Sequence, residues 1–521
     1  MGPMGPVEAG QLEQQYVQPP GQAESLEELG WQIAKGGVIG FVGSGIGKVA
    51  NFVLHVLLGR VLGPGAYGLY ILGVSILIIL QPLASLGLMK GILRFCAMFR
   101  GEKDTARVKG TLLAGMLIST LLSVLVGTIL LIFSVPIANG LFGKPELAGV
   151  LRVFAIALPF YVLMMIAGAF AQSFRRIEYQ QGVISIFQPV INLCVVGLAF
   201  LLGLRLYGAL YGFLASVVVS AGLAIYSLLR IFPEILSAIR PRLDQVAALI
   251  RYSLPMIFVS ISYLLALRTD RLMLGLLGKA EDVGIYGAGA NIAIQTCMIN
   301  AALVSIFAPV ISDVYNRQQP LQVKQLYNLV KRWSSYGTFL LVLPVIFYSQ
   351  VIMSIYGEEF IKGWTVLAIL SGAYLLGPLT GPVSILLQMT GRQKVEFFNC
   401  SLMVTGNLTL NWVLIPVWGY LGAGIATLLV CLMMAAVRVV QVYRSFGFHP
   451  FDPEHLKFVM LVILGFLTGL IVSALALEPF KLVSLLFVVG LFLLNGYKTK
   501  TQDDKIIWMR ISKGFAGGGA R

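Results

Sequence analysis

Fourteen hydrophobic stretches between residues 37 and 496 follow one another along this chain, each about long enough to cross the ~30 Å hydrocarbon core of a bilayer as a helix. A chain so built cannot close around one aqueous-facing core, and it reads as a polytopic membrane protein. Only 12% of its residues are charged and 58% are hydrophobic, whereas soluble domains carry about a quarter charged residues. A soluble enzyme is excluded. The spans are placed at 37–59, 70–88, 111–133, 147–172, 182–202, 206–229, 250–277, 283–314, 333–355, 364–389, 396–416, 421–442, 456–475 and 480–496. A span in lipid must satisfy its own backbone groups, and the alternation of a transmembrane barrel is absent, so the expected fold is all-α.

The region before the first span is polar, with Glu8, Glu13, Glu24, Glu27 and Glu28 against Lys35. That pattern argues against a cleaved signal peptide, which needs a basic region leading into an early apolar stretch. Ser25 and Glu28 have capping-box spacing, and Leu26, Leu29 and Ile33 have helical spacing, which fits either a short surface helix or a solvated tail. The cations set the expected orientation. The even-numbered loops and the C-terminal tail hold 27 of the 38 Lys and Arg, and the odd-numbered loops hold eight. By the positive-inside rule both termini face the cytoplasm, in a multi-pass protein of the cell membrane. The net charge of +15 is then mostly topology, because the cations are spread through short loops without a basic domain for nucleic acid. Cys96, Cys194, Cys297, Cys400 and Cys431 are scattered singly, and His55, His449 and His455 make no ligand motif. No metal site, cofactor or catalytic residue is expected.

The chain also repeats itself. Gly68-Leu69-Tyr70 recurs as Gly284-Ile285-Tyr286, and Gln172 and Arg176 recur as Gln388 and Arg392, all at an offset of 216; Asn192 and Gly208-Ala209 return as Asn407 and Gly422-Ala423 at offsets of 215 and 214. Six spans per unit is an even number, so both halves enter the membrane in the same direction, related by an axis along its normal. The expected organisation is a tail (1–28), a first six-helix lobe (29–230), a second (243–444), two added helices (456–496) and a basic tail (497–521). Two parallel six-helix bundles are an architecture of alternating-access transporters, with the substrate path between the halves.

Several phrases carry a resemblance. Leu58-Gly59-Arg60-Val61-Leu62-Gly63-Pro64-Gly65-Ala66-Tyr67-Gly68-Leu69-Tyr70, the segment Leu86-Gly87-Leu88-Met89-Lys90-Gly91-Ile92-Leu93-Arg94-Phe95, Ser253-Leu254-Pro255 and Thr269-Asp270-Arg271-Leu272-Met273-Leu274-Gly275 resemble the polysaccharide (O-antigen type) flippases of the MOP superfamily. The likeness covers residues 29–444. Fourteen spans departs from the twelve usual in O-antigen flippases and is similar to lipid II and archaeal-type members. The resemblance implies a flippase that turns a polyprenyl-(pyro)phosphate-linked oligosaccharide from the inner to the outer leaflet. A monomer in the bilayer is the expected state.

A phosphate-bearing, hydroxyl-rich head group needs cations and hydrogen-bonding side chains along its path. Ser44, Lys48, Asn51 and His55 are spaced 4, 3 and 4, one stripe of a helix. A Lys at helix centre costs about 3 kcal/mol unless it faces a polar space or a partner. In the seventh span Arg268, Asp270 and Arg271 lie together, and Arg271 is the repeat counterpart of His55. They face the cavity, or else sit at the outer interface, snorkelling or salt-bridged; both placements are open at this level. Asn291 and Gln295, Thr380, Ser384 and Gln388, and Asn407 and Asn411 keep i, i+4 spacing, which serves a polar wall for sugar hydroxyls or ordinary interhelical hydrogen bonding. Tyr374 and Trp412 are candidates for stacking on sugar rings.

Gly43-Ser44-Gly45-Ile46-Gly47-Lys48 fails as a P-loop at both ends, with Val42 and Val49 where Gly and Ser or Thr are required. No ATP-binding domain is evident, so energy would come from an ion gradient, with proton or sodium coupling, from the membrane potential or from consumption of the product. A cation-coupled multidrug extruder of the same superfamily would want buried carboxylates, and Asp270 and Asp313 are the acids placed within or at the ends of spans. A lipid II flippase is the alternative substrate reading. A membrane glycosyl polymerase or ligase, an enzyme, would be expected to carry a large external loop, and every external loop here is short.

Overall fold

The computed structural model describes residues 26–451, 453–475 and 478–498, with side chains from residue 45 onward except at a few positions. Ser25 and the side chains of Leu26, Leu29, Ile33 and Ser44 lie outside the described residues, so the surface-helix reading and one member of the polar stripe do too.

The described chain is helical and contains no strand. The helices are α1 (Leu26–Ala84), α2 (Leu88–Gly101), α3 (Thr105–Ile132), α4 (Leu147–Ser173), α5 (Gln188–Leu201), α6 (Leu206–Ile231), α7 (Val246–Leu277), α8 (Ala280–Ala293), α9 (Met298–Asn316), α10 (Pro320–Phe347), α11 (Trp364–Thr380), α12 (Val383–Met389), α13 (Gln393–Phe446), α14 (Pro453–Ala474) and α15 (Glu478–Lys498). Among the described residues ten helical stretches are long and apolar enough to cross a membrane. α1 and α13, at 59 and 54 residues, far exceed the ~20 residues of one crossing. Each breaks inside, at Gly63 (φ 69°) and Gly419 (φ 55°) respectively. The expected loops between the first and second spans and between the eleventh and twelfth are therefore sharp turns at a glycine, inside otherwise continuous helix. Two π-helical stretches, Ile137–Leu141 and Gln181–Phe187, have no counterpart in the sequence reading.

Left-handed backbone positions recur along the chain. Arg175 pairs with Gly391 and Gly203 with Gly419 at a separation of 216, Lys103 with Gln318 at 215, and Gly143 with Gly357 at 214. These are the offsets of the sequence repeat, now seen in the turns that end corresponding helices.

α4 packs on α3 and α6, α5 packs on α6, and all four pack on α1; α7 and α11 each pack on α13, with α10 against α11. α14 and α15 lie against α10, where Phe458 and Phe492 meet the rings of Tyr336 and Phe339. The broadest contact between the N-terminal and C-terminal halves is α1 against α8. At its centre Gly68 and Gly284 face each other. A Cβ on Gly68 would lie 1.8 Å from the Ala280 carbonyl oxygen, and one on Gly284 would lie 2.0 Å from that of Pro64. At the opposite end of the helices Arg107 pairs with Asp244 at 2.9 Å, and this hydrogen bond holds the Asp244 carboxyl below the usual carboxylate range. Arg94 stands over the Tyr252 ring, tying α2 to α7.

Candidate functional site

Asp270 and Arg271 sit in the last third of α7, 6% and 8% exposed. Burial at this depth requires partners, and they come from α8 and α13. The Asp270 carboxylate accepts from the Tyr286 hydroxyl on α8 and, at 3.5 Å, from Asn407 Nδ2 on α13. Tyr286 Oη also meets Thr427 Oγ1 at 3.3 Å, and Asn411 Nδ2 donates back to Asn407. The N-terminal half has a reduced copy: Tyr70, the counterpart of Tyr286, and Asn192, the counterpart of Asn407, are both buried, but Leu54 stands where Asp270 would be. The buried carboxylate therefore belongs to the second half alone.

Arg271 makes the other connection. Its Nη2 donates to Asn291 Oδ1 at 2.9 Å, Asn291 Nδ2 donates to Tyr67 Oη at 3.3 Å, and that hydroxyl meets His55 Nδ1 at 3.1 Å. This line crosses from the C-terminal half to the N-terminal half. Around it Tyr67, Tyr356 and Phe360 pack edge to edge, Arg60 Nε donates to the Ile355 carbonyl at 2.7 Å, and Lys362 pairs with Glu281. Lys144, from the first half, donates to the Gly275 and Gly278 carbonyls at 2.5 and 2.8 Å, satisfying free carbonyls at the end of α7. The halves are thus locked together at the end carrying the odd-numbered loops.

Below this lock lies a cavity of about 350 Å³ whose polar lining is Arg268, Asp270, Arg271, Asn291, Thr380, Asn407, Thr427 and Arg438, with the Tyr374 ring on one wall. The structure brings Arg268, Asp270, Arg271, Asn291 and Asn407 together as the sequence proposed, and Asn411 stands behind Asn407. It does not bring in the rest. Lys48 and Asn51 are exposed on α1 and His55 is half-buried, none of them lining this cavity. Their stripe has a definite place nonetheless. Gly47, Ala50, Leu54 and Leu58 form the buried face, with Gly47 pressed on the Ser185 carbonyl, and Ile46, Val49 and Val53 form an exposed apolar face. Lys48, Asn51 and His55 run between the two, reaching the other half through His55. Lys48 lies seven residues, about 10 Å at 1.5 Å per residue, further toward the even-loop end.

Gln295 is exposed, and Ser384 and Gln388 do not belong to the polar wall expected of them. Ser384 donates to Glu396 at 2.5 Å, Gln388 donates to Ser384, and Asn399 bonds both Glu396 and Gln441. Glu396 is 8% exposed, a buried acid at the first position of the expected eleventh span that the count of carboxylates within or at the ends of spans left out. Asp313, counted there, is exposed and paired with Arg317 at 2.8 Å. Trp412, 63% exposed, faces away from the cavity. Tyr67, Tyr286, Thr427 and Arg438 were not singled out by the sequence. The repeat marks Tyr286 through Tyr70, and the Leu58–Tyr70 phrase contains Tyr67; no sequence signal marked Thr427 or Arg438.

Residues 33–315 match the family described as "Polysaccharide biosynthesis protein". The chain is 24% identical over 409 residues to the "Probable low-salt glycan biosynthesis flippase Agl15" of Haloferax volcanii, covering 76% of this chain and 80% of that one. Among solved structures it superposes on the lipid II flippase MurJ in an inward closed conformation with a TM-score of 0.66, at 12% identity, covering 88% of this chain and 98% of that one. It also superposes on an inward-facing multidrug resistance MATE family transporter of the MOP superfamily with a TM-score of 0.65, at 15% identity, covering 79% and 98%. These two likenesses establish the fold.

Proposed function

The chain belongs to the polysaccharide biosynthesis protein family, and we propose that it is a flippase moving a polyprenyl-(pyro)phosphate-linked oligosaccharide between leaflets by alternating access. The observation that carries this reading is the sign of the cavity: Arg268, Arg271 and Arg438 line it against a single carboxylate, Asp270. An anion carried through hydrocarbon requires such countercharge, and an exporter of organic cations would be opposed by it. The name of the Haloferax volcanii relative and the MurJ-like fold support the same class of substrate.

The two halves act as lobes, residues 29–230 and 243–444, related by the repeat. The recurrence of left-handed turns at the repeat offsets supports the division, as does the matched pair Gly68 and Gly284. The lobes are closed at the odd-loop end. Toward the even-loop end α1 packs on α5 and the π-helical stretch before it, while α9 packs on α10 and α12, so that Lys48 and Asn51 are open to a space between the lobes. Lys48 receives the phosphate there, and Arg268 and Arg271 take it deeper. The sugar hydroxyls meet Asn291, Thr380 and Asn407. Each chain holds a complete cavity and works as a monomer in the cell membrane, with fourteen spans and both termini in the cytoplasm. A reporter active only outside the cytoplasm, fused after residue 496, is expected to stay silent while a cytosolic reporter at that site is active; the reverse result would overturn the orientation.

Coupling to a cation, a proton or Na⁺, resides at Asp270. Its carboxylate is held by neutral donors, and the neighbouring Asn411 Oδ1 is buried without a donor among the described residues, a set of oxygens suited to a small hard cation. Asp270→Asn should leave insertion intact and abolish acceleration of flipping by an imposed Na⁺ or proton gradient. An undiminished gradient effect would place the coupling elsewhere.

The function is tested in proteoliposomes carrying a fluorescent polyprenyl-pyrophosphate-linked oligosaccharide, with an external reagent reporting leaflet exposure. The purified protein is expected to expose all of the lipid on a timescale on which empty vesicles expose half. Transport of a cationic dye with no movement of the lipid-linked sugar would favour the extruder instead.

A further inference from the structure

At the even-loop end of the N-terminal half, α2 and α4 end in the same way. The amides of Lys103 and Asp104 bond back to the Arg100 and Phe99 carbonyls, and those of Arg175 and Arg176 to the Gln172 and Ala171 carbonyls. This is the Schellman arrangement, whose left-handed residue is usually glycine. In the second half the corresponding turn after α12 places Gly391 there (φ 77°), with its amide and that of Arg392 bonded back to Gln388 and Leu387. In the first half the left-handed residues are Lys103 (φ 57°) and Arg175 (φ 59°). A non-glycine residue in this conformation costs on the order of 1–2 kcal/mol, and strain of this kind concentrates where a side chain has work to do.

The position of Arg175 gives that work a form. Arg100, in the last turn of α2, lies over the ring of Phe174, 5.4 Å from its centroid, and Phe174 is the residue before Arg175. Phe170 and Phe232 pack beside that ring, so the guanidinium rests on a fixed aromatic platform. Partial burial, with the Arg175 charge adding to it, holds the Arg100 guanidinium below its ordinary value. Neither arginine has a carboxylate within 4 Å among the described residues, whereas Arg107, Arg176, Arg242 and Arg317 each do. The second half has Tyr315-Asn316 and Gly391 where the first has Arg100 and Arg175. Arg100 on the Phe174 ring and Arg175 at the strained turn that follows it form a pair of guanidiniums with no counterpart in the sister repeat and no carboxylate within 4 Å among the described residues, an arrangement suited to a bridging anion.

We infer that Arg100 and Arg175, on the Phe174 platform, form an anion site, separate from the cavity of the C-terminal half, that binds the phosphate group of a phosphate-bearing ligand at the mouth of the N-terminal half. That the phosphate belongs to a lipid carrier arriving at the flippase rests on the proposed function; the anion site itself does not. Arg100 and Arg175 would then hold the head group in the inner leaflet before it reaches Lys48.

The test uses the full-length protein in nanodiscs, titrated with a polyprenyl monophosphate, with the corresponding polyprenol and with inorganic pyrophosphate, in wild type and in a Lys48→Gln background. Arg175→Gly and Arg100→Gln are expected to weaken binding of the polyprenyl phosphate about tenfold or more in both backgrounds, with polyprenol binding unchanged and Arg175→Lys intermediate. Arg175→Gly should melt at the same temperature as the parent or higher, because glycine relieves the turn. Pyrophosphate that competes with the lipid and shows the same dependence on the two arginines assigns the site to free phosphate. Pyrophosphate that does not compete assigns it to the lipid head group. Unchanged binding of both phosphate probes in Arg175→Gly and Arg100→Gln would overturn the site, and so would a loss of binding in Arg175→Gly accompanied by a lower melting temperature. Because binding is read without transport, failure of the flippase reading leaves this outcome decided on its own.

Discussion

Arg271→Ala is expected to reduce flipping of the lipid-linked oligosaccharide about a hundredfold or more, with the protein still produced and inserted at the parental level. The substitution removes a nearly buried cation from the cavity, leaves Asp270 with less countercharge, and cuts the line from Asn291 to Tyr67 at its origin. Truncating one partner of a buried, hydrogen-bonded charge typically costs about 2–5 kcal/mol, and about 1.4 kcal/mol is a factor of ten. Arg271→Lys keeps the charge but loses the planar fork that reaches Asn291, so it should recover only part of the activity. Proteoliposome flipping at matched protein content checks both. An Arg271→Ala protein that flips within a few fold of the parent would remove Arg271 from the substrate path.

The second large effect is expected at the crossing of α1 and α8. Gly68→Val places a branched side chain where even a Cβ would lie 1.8 Å from the Ala280 carbonyl oxygen, a backbone atom that cannot turn aside. Overpacking typically costs about 1–3 kcal/mol, and here the cost falls only on the state in which the odd-loop end is closed. The population should move toward conformations open at that end, and flipping should fall at least about tenfold because the cycle cannot return. A cysteine introduced at Phe360, 1% exposed in the closed arrangement, should become reactive to a membrane-impermeant thiol reagent in the Gly68→Val background and stay protected in the parent. Gly284→Val should behave alike, since the two glycines are partners. Equal protection in all three proteins would mean that this contact does not gate the protein.

What the sequence made legible follows from where its signals are strong. Apolar runs longer than about 18 residues announce themselves whatever they pack against, so the helical architecture was readable, and the constant offset of Gly68 and Gly284 was readable because identical contacts require identical residues. Asp270, Arg271, Asn291 and Asn407 stood out because charge and amide groups inside an apolar helix need a reason. The Tyr286, Thr427 and Tyr67 hydroxyls did not, because tyrosine and threonine are ordinary in such helices and become site residues only when tertiary packing delivers a partner. Glu396 was left out although it opens an expected span; its burial depends on Ser384 arriving from α12, which the sequence does not show. The same contact turned Ser384 and Gln388 away from the sugar path that their spacing proposed. Spacing fixes which residues share a helix face, but the neighbour that the face meets is set by packing between helices. The strain at Arg175 is likewise invisible in one dimension, where the repeat shows only that arginine replaces glycine.

The central claim is that charge on the first span meets the phosphate of a lipid-linked sugar, and Lys48 tests it most directly. The measurement is the initial rate of leaflet exchange of the labelled polyprenyl-pyrophosphate oligosaccharide in proteoliposomes containing wild type, Lys48→Arg or Lys48→Glu at equal density. Lys48 is exposed and takes no part in the contacts of the closed end, so neither substitution should disturb folding. A demand for positive charge predicts that Lys48→Arg keeps most of the rate and Lys48→Glu falls to that of empty vesicles. Exchange by Lys48→Glu at the parental rate would contradict the charged path through this protein.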